Sequence, residues 1–220
     1  MEAVGEPAKD TSCGNGKYFA IFIVLGAAFY LWPVTYWLGP RHWSATAVIF
    51  AVLLLGIEYH RRYSRTAKDW GFSWPDFLPG FRLELMFTTL AMIAVAYAGW
   101  VLKSWVGRHH PERDLAGLLL WALAQQFILQ TVVLRELERR MSRSPAIVVA
   151  AAVFALLHMP NPFLFTLTFA AACIWCWIYS RHPNLIPLAL SHSLTTLMIL
   201  ACLSKSLTGS MRVGYSYFLL

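Results

Sequence analysis

The chain has 220 residues, of which 58% are hydrophobic and only 13% charged, and its mean hydropathy is +0.55. That balance excludes an ordinary soluble domain and makes lipid the expected solvent. The net charge of +7 does not point to nucleic acid, because the basic residues sit at the ends of apolar runs, the positive-inside pattern, instead of forming one continuous face.

A bilayer core about 30 Å thick needs about 20 apolar residues per helix, and runs of that length recur along the sequence. The expected fold is all-α, a polytopic transmembrane helical bundle of about seven spans. A polar N-terminal tail, 1–16, places Glu2, Glu6 and Asp10 ahead of any apolar residue run, so it lacks the basic-then-apolar order of a cleaved signal peptide. The N-terminal transmembrane helices, 17–114, are expected at 17–39, kinked by Pro33, at 42–58 and at 83–106. Between the second and third lies a basic loop, 59–82, carrying Arg61, Arg62, Arg65, Lys68 and Arg82. Its aromatic stretch from Trp70 to Leu78 is expected to lie on the membrane surface at headgroup depth.

A second membrane domain is expected over 115–203, followed by a C-terminal tail, 204–220. Its first helix, 115–141, carries Gln125, Gln126 and Gln130 near the middle and finishes on Arg135, Glu136, Glu138, Arg139 and Arg140. A helix over 145–158 is stopped by Met159-Pro160-Asn161-Pro162, and two more follow at 163–179 and 184–203. Alternate threading gathers most arginines on one side, which makes that side and the N-terminus cytoplasmic in a multi-pass integral membrane protein. Four cysteines, Cys13, Cys173, Cys176 and Cys202, are too scattered for a disulfide framework. Cys173 and Cys176 have C-x-x-C spacing within an apolar helix and read as packing residues, since zinc would need further ligands.

Polar side chains inside hydrocarbon are costly and by default mark a functional site. Here they group: Gln125, Gln126 and Gln130 on one helix, His158 at the end of the next, and His192, Thr195 and Thr196 on the last. Residues three or four apart share a helix face, so three helices can converge on one wet pocket. The plain alternative is that each Gln and Thr hydrogen-bonds between helices as packing glue. No carboxylate is expected among them. Glu58 and Glu84 fall at the ends of expected spans, and Glu136 lies eleven residues beyond Gln125, about 16 Å along a helix.

The segments 125–140, Phe154 to His158 and His192 to Thr196 resemble, in order and spacing, the three motifs of the CAAX protease and bacteriocin-processing (CPBP) family of intramembrane endopeptidases, EExxxR, FxxxH and HxxxN or HxxxD. The Trp70-Gly71-Phe72 stretch also resembles a segment common in bacterial members. In that family the first Glu and the second-motif His are thought to activate the attacking water, while the Arg and Asn position groups and stabilise the oxyanion. Here EExxxR reads QQxxxQ, and Thr196 stands where the Asn or Asp would be. A glutamine amide has no carboxylate to accept a proton, so Gln125 cannot be the base that the family assigns to its position.

The resemblance therefore implies catalytic positions at His158, His192 and Gln125, with Gln126, Gln130 and Thr196 as the polar pocket or oxyanion donors. His158 would be the base, and His192 would orient the water or polarise the carbonyl. Expected partners are membrane lipids and a membrane-associated or lipid-modified peptide, with no nucleic acid. No cofactor is assigned, and a divalent metal stays open with poor support, since two histidines without a carboxylate or thiolate make a poor site for one. Three readings stay open: an active endopeptidase, a catalytically inactive pseudoprotease that binds or regulates a membrane partner in the manner of a self-immunity protein, and a transporter. The last has neither internal repeats nor an intramembrane acid to support it.

Overall fold

A computed structural model describes residues 16–39, 42–63, 66–107 and 111–219. The polar N-terminal tail with Cys13, Arg41 and Arg65 lie outside the described residues. Among those described, the chain is helical throughout, and its only bridge between extended segments is an isolated antiparallel one, Phe72 with Asn184. The helices are α1 (Gly16–Phe29), α2 (Thr35–Leu38), α3 (His42–Tyr63), α4 (Trp74–Val101), α5 (Pro111–Gln126), α6 (Arg135–Glu138), α7 (Arg143–Leu156), α8 (Pro162–Tyr179), α9 (Leu185–Cys202) and α10 (Lys205–Thr208).

Two pairs of these are continuous. A π-helical turn, Tyr30–Val34, holding Pro33 joins α1 to α2, and a π-helical stretch, Phe127–Leu134, joins α5 to α6. Five described helices are then long and apolar enough to cross a membrane: Tyr18–Leu38, Trp74–Val101, Pro111–Glu138, Pro162–Tyr179 and Leu185–Cys202. Of the seven expected spans the other two differ in kind. The α3 helix has 22 residues but its last turn is His60, Arg61 and Arg62, and α7 has 14 residues. The protein is an all-α, multi-pass integral membrane bundle.

The long α4 begins nine residues earlier than the sequence suggests. Pro75 occupies the first turn, where its fixed φ suits a helix and its missing N–H costs nothing. Asp76 adds a negative charge at the helix N-terminus and accepts from the Ser73 hydroxyl. Pro79 removes one hydrogen bond near the start without ending the helix. The aromatic stretch expected at headgroup depth is thus partly helix, and the basic loop expected over 59–82 shrinks to the short segment between Tyr63 and Trp74.

That segment is docked onto the protein. Leu185 N–H donates to Gly71 O at 2.9 Å and Ser73 N–H to Pro183 O at 3.2 Å. The Asn184 amide donates to Ser73 O at 2.9 Å while its oxygen caps α9 by accepting from Ile186 N–H at 3.1 Å. Gly71 has φ of 82°, and a Cβ there would meet Leu185 at 2.6 Å, so the position requires glycine. This clasp starts α4 and α9 at the same end of the bundle, and the two then pack along their length. At the far end the Ser104 hydroxyl donates to Cys202 O at 2.8 Å.

The larger buried core is formed by Leu134, Ala146, Ala150, Ala172, Cys176, Tyr179, Leu185 and Leu188, among others. Residues after α9 fold back as a cover. The Asn161 amide donates to Thr208 O at 2.9 Å and Arg212 O at 3.1 Å, and Gly214 N–H donates to Met159 O at 2.7 Å. Removing the double-duty cap by Asn184→Ala is expected to cost about 1–2 kcal/mol, read as a lower unfolding temperature of the purified protein in detergent; an unchanged temperature would contradict the clasp.

Candidate functional site

The helix that carries the glutamines changes its winding where it carries them. Gln126 ends α5, and Gln130 sits in the π-helical stretch, a geometry that appears mostly in single turns at functional sites. Both side chains are fully buried. Gln130 Nε2–H donates to Gln126 Oε1 at 2.9 Å, and Gln126 Nε2 then faces His192 Nδ1 at 3.5 Å. A chain of neutral amides therefore runs from the helix interior to a histidine on α9. The His192 ring stacks on Trp175 with centroids 4.5 Å apart, which fixes its plane.

His158 is held by a different contact. Its Nδ1–H donates to Phe154 O at 2.7 Å, four residues back in the last turn of α7, while His158 itself lies in the turn just past the helix end, and its ring packs on Phe154 with centroids 4.7 Å apart. In a neutral imidazole one nitrogen donates and the other accepts. His158, with Nδ1–H committed to the backbone, offers Nε2 as an acceptor. His192, with Nδ1 accepting from Gln126, offers Nε2–H as a donor. The two histidines are thus complementary, one able to take a proton and the other to give a hydrogen bond.

Both line a cavity of about 450 Å³ between α4, α5, α8 and α9, together with Gln125, Trp175, Ser191, Thr195 and Thr196. A second cavity, of about 190 Å³, is walled by Ile23, Val24, Leu31, Val52, Leu53 and Leu129. Trp121, Gln125, His158 and Val213 belong to both walls. Both cavities are mostly apolar; the larger, called the polar chamber because it holds the buried polar side chains, shares a wall with the smaller at Gln125 and His158.

Of the residues singled out from sequence, Gln125, His158, His192 and Thr196 meet in the polar cavity. Gln126 and Gln130 do not line it. Adjacent residues on a helix point about 100° apart, so when Gln125 faces the cavity Gln126 turns away, and the pair Gln126–Gln130 supports His192 from behind. These two, expected as polar-pocket or oxyanion groups, lie behind His192 and not on the cavity wall. Glu136 is also accounted for. Buried at 3% exposure, it accepts from the Tyr59 hydroxyl at 2.6 Å and from Arg140 at 3.0 Å, with Arg139 beside them, and so fastens α6 to α3.

One residue was missed. Glu84, assigned from sequence to a span end, is the eleventh residue of α4, about 15 Å into the helix, is 2% exposed and lines the polar cavity. The signal that would have found it was the Ser73-Trp74-Pro75-Asp76 helix start, which moves the beginning of α4 back. Among the described residues no group of three or more His, Cys, Asp or Glu side chains is arranged to hold a metal ion.

Residues 114–198 match the family model described as type II CAAX prenyl endopeptidase Rce1-like. No curated protein and no solved structure matches the chain. The match covers the Gln helix and both histidines. The neutral chain predicts a charge-sensitive core: Gln126→Glu should destabilise by at least about 1 kcal/mol, and Gln126→Glu/Gln130→Arg should recover most of it. The coupling between the two changes, measured by thermal unfolding in a double-mutant cycle, would be near zero if the amide chain were absent.

Proposed function

We propose, from the premise that the chain belongs through residues 114–198 to the Rce1-like CAAX endopeptidase (CPBP) family, that it is an intramembrane endopeptidase acting on a lipid-modified peptide. The observation that carries this reading is the junction of the two cavities at Gln125 and His158. An apolar chain attached to the substrate fits the chamber lined by Ile23, Leu31 and Val52, where burial favours it by about 0.8 kcal/mol per CH₂. The peptide bond beside the lipid then falls in the polar chamber.

In that chamber His158 Nε2 accepts a hydrogen bond from the attacking water, and His192 Nε2–H donates to the carbonyl oxygen as it gains charge. Preorganised donors of this kind are worth about 3–4 kcal/mol in acyl transfer. Gln125, Thr195 and Thr196 supply further polar contacts to the peptide. Gln126 and Gln130 act through His192 by holding its donor tautomer. The end of the bundle bearing Arg61, Arg62, Arg139 and Arg140 faces the cytoplasm.

A second reading, a binder that does not cut, is favoured by the replacement of every charged residue of the first motif by glutamine. One experiment separates the two. Purified protein in phosphatidylcholine vesicles is given a fluorogenic peptide bearing a farnesylated cysteine. Cleavage by the wild type that falls at least about 10²-fold in His158→Ala is the expected result. Saturable binding without cleavage would establish the second reading, and cleavage untouched by His158→Ala would remove His158 from the site.

A further inference from the structure

The endopeptidase reading leaves one chemical gap. Water attacking an amide must lose a proton, the site must later protonate the leaving nitrogen, and the positions that supply a carboxylate in the family are glutamines here. The wall of the polar cavity nevertheless includes an acid. Glu84 is supplied by α4, a helix outside the matched segment 114–198.

Several observations place Glu84 with the reacting groups. Thr88, one turn along the same face of α4, donates its hydroxyl proton to Ser191 Oγ at 2.7 Å. Trp175 Nε1–H donates to the same oxygen at 3.2 Å. Ser191 immediately precedes His192, and Trp175 is the ring on which His192 stacks. Ser191 is also the polar neighbour of the Glu84 carboxyl. Its oxygen already accepts two hydrogen bonds, so the only hydrogen it has left to offer Glu84 is its own.

Glu84 is not explained as a packing residue. It is 2% exposed, and neither carboxylate oxygen completes a hydrogen bond within the protein, among the described residues. The acids that serve structure in this chain look different: Glu136 and Glu138 each hold an arginine and a hydroxyl. A buried carboxyl without such partners is costly inside a protein, and Glu84 stands in the wall of the cavity that holds both histidines, with its two oxygens covered by the protein.

We propose that Glu84 is the general base and acid of this site, a carboxylate supplied by α4 in place of the one missing from the Gln helix. This rests on the endopeptidase reading and refines it, moving the base from His158, where sequence placed it, to Glu84. In the first step the Glu84 carboxyl, turned from the wall into the cavity, takes one proton of the water while the other stays hydrogen-bonded to His158 Nε2. The water oxygen bonds to the peptide carbon, and the carbonyl π pair moves onto the oxygen facing His192 Nε2–H. In the second step that pair returns, the C–N bond breaks, and Glu84 delivers its proton to the departing nitrogen. The products are a carboxylic acid and an amine, and Glu84 is again ionised.

The test uses full-length protein in phosphatidylcholine vesicles with the farnesylated fluorogenic peptide. Glu84→Gln should lower kcat by at least about 10²-fold with KM little changed, and any residual activity should lack the acid-side limb of the wild-type pH profile. Glu84→Asp, which keeps the carboxylate, should recover part of the rate. Because Glu84→Gln removes a buried ionisable group while keeping its shape, it should unfold no earlier than the wild type, which separates loss of chemistry from loss of fold. A wild type that cleaves and a Glu84→Gln variant that cleaves equally well would overturn this inference alone. A wild type that does not cleave would overturn the endopeptidase reading and this inference with it.

Discussion

A polar side chain placed in hydrocarbon is costly unless the protein satisfies it, and in this chain the Gln130–Gln126–His192 relay does so for every link, leaving Gln130 Oε1 at its end without a hydrogen-bond partner. Both amides are fully buried and have no bulk water to turn to. Each link uses one donor and one acceptor, so shifting any member would strand its neighbour. The relay fixes the rotation of the Gln helix, ties it to α9 and sets which nitrogen of His192 carries the proton. The cavity, the facing histidines and the neighbouring apolar chamber all depend on that arrangement.

Keeping the relay neutral has a physical advantage. A buried Glu–Arg pair must recover a desolvation cost of several kcal/mol per ion through near-ideal geometry, whereas amides supply hydrogen bonds without it. Replacing the motif's charges by glutamine therefore preserves the scaffold at lower electrostatic risk. In the proposed site it also separates two tasks, with positioning on the Gln helix and ionisable chemistry on a residue elsewhere in the bundle. Charges that remain on the 111–138 helix are confined to its two ends, Glu112, Arg113 and Asp114 at the start and Arg135, Glu136 and Glu138 at the finish, where Glu136, Tyr59, Arg139 and Arg140 anchor it to α3.

Much of this was legible in the sequence, for identifiable reasons. Long apolar runs and arginines at their ends determine a membrane bundle whatever its details. Glutamines and histidines are conspicuous against hydrocarbon, so Gln125, His158, His192 and Thr196, which line one cavity, stand out in the sequence as candidates. Glu84 was missed because Trp74-Pro75 and Pro79 read as loop in a hydropathy scan, although a proline in the first turn of a helix is favourable. The different duties of Gln125 and Gln126 were also hidden, since adjacent residues separate only when the helix is rotated into place. The cover formed by residues 205–219 depends on pairings such as Asn161 with Thr208 and Arg212, 47 and 51 residues apart, which no local pattern encodes.

The central claim is that a lipid-bearing peptide occupies two joined chambers, its apolar chain in one and its polar portion in the other. The most direct measurement is photo-crosslinking with a peptide whose prenyl chain carries a benzophenone, followed by mapping of the adducts. The account predicts adducts on the inner wall of the apolar chamber, at Ile23, Val24, Val52 or Leu53, and their loss when excess unlabelled farnesylated peptide is added. Adducts confined to lipid-facing residues such as Phe22, Leu25 and Phe29, undiminished by the competitor, would contradict it.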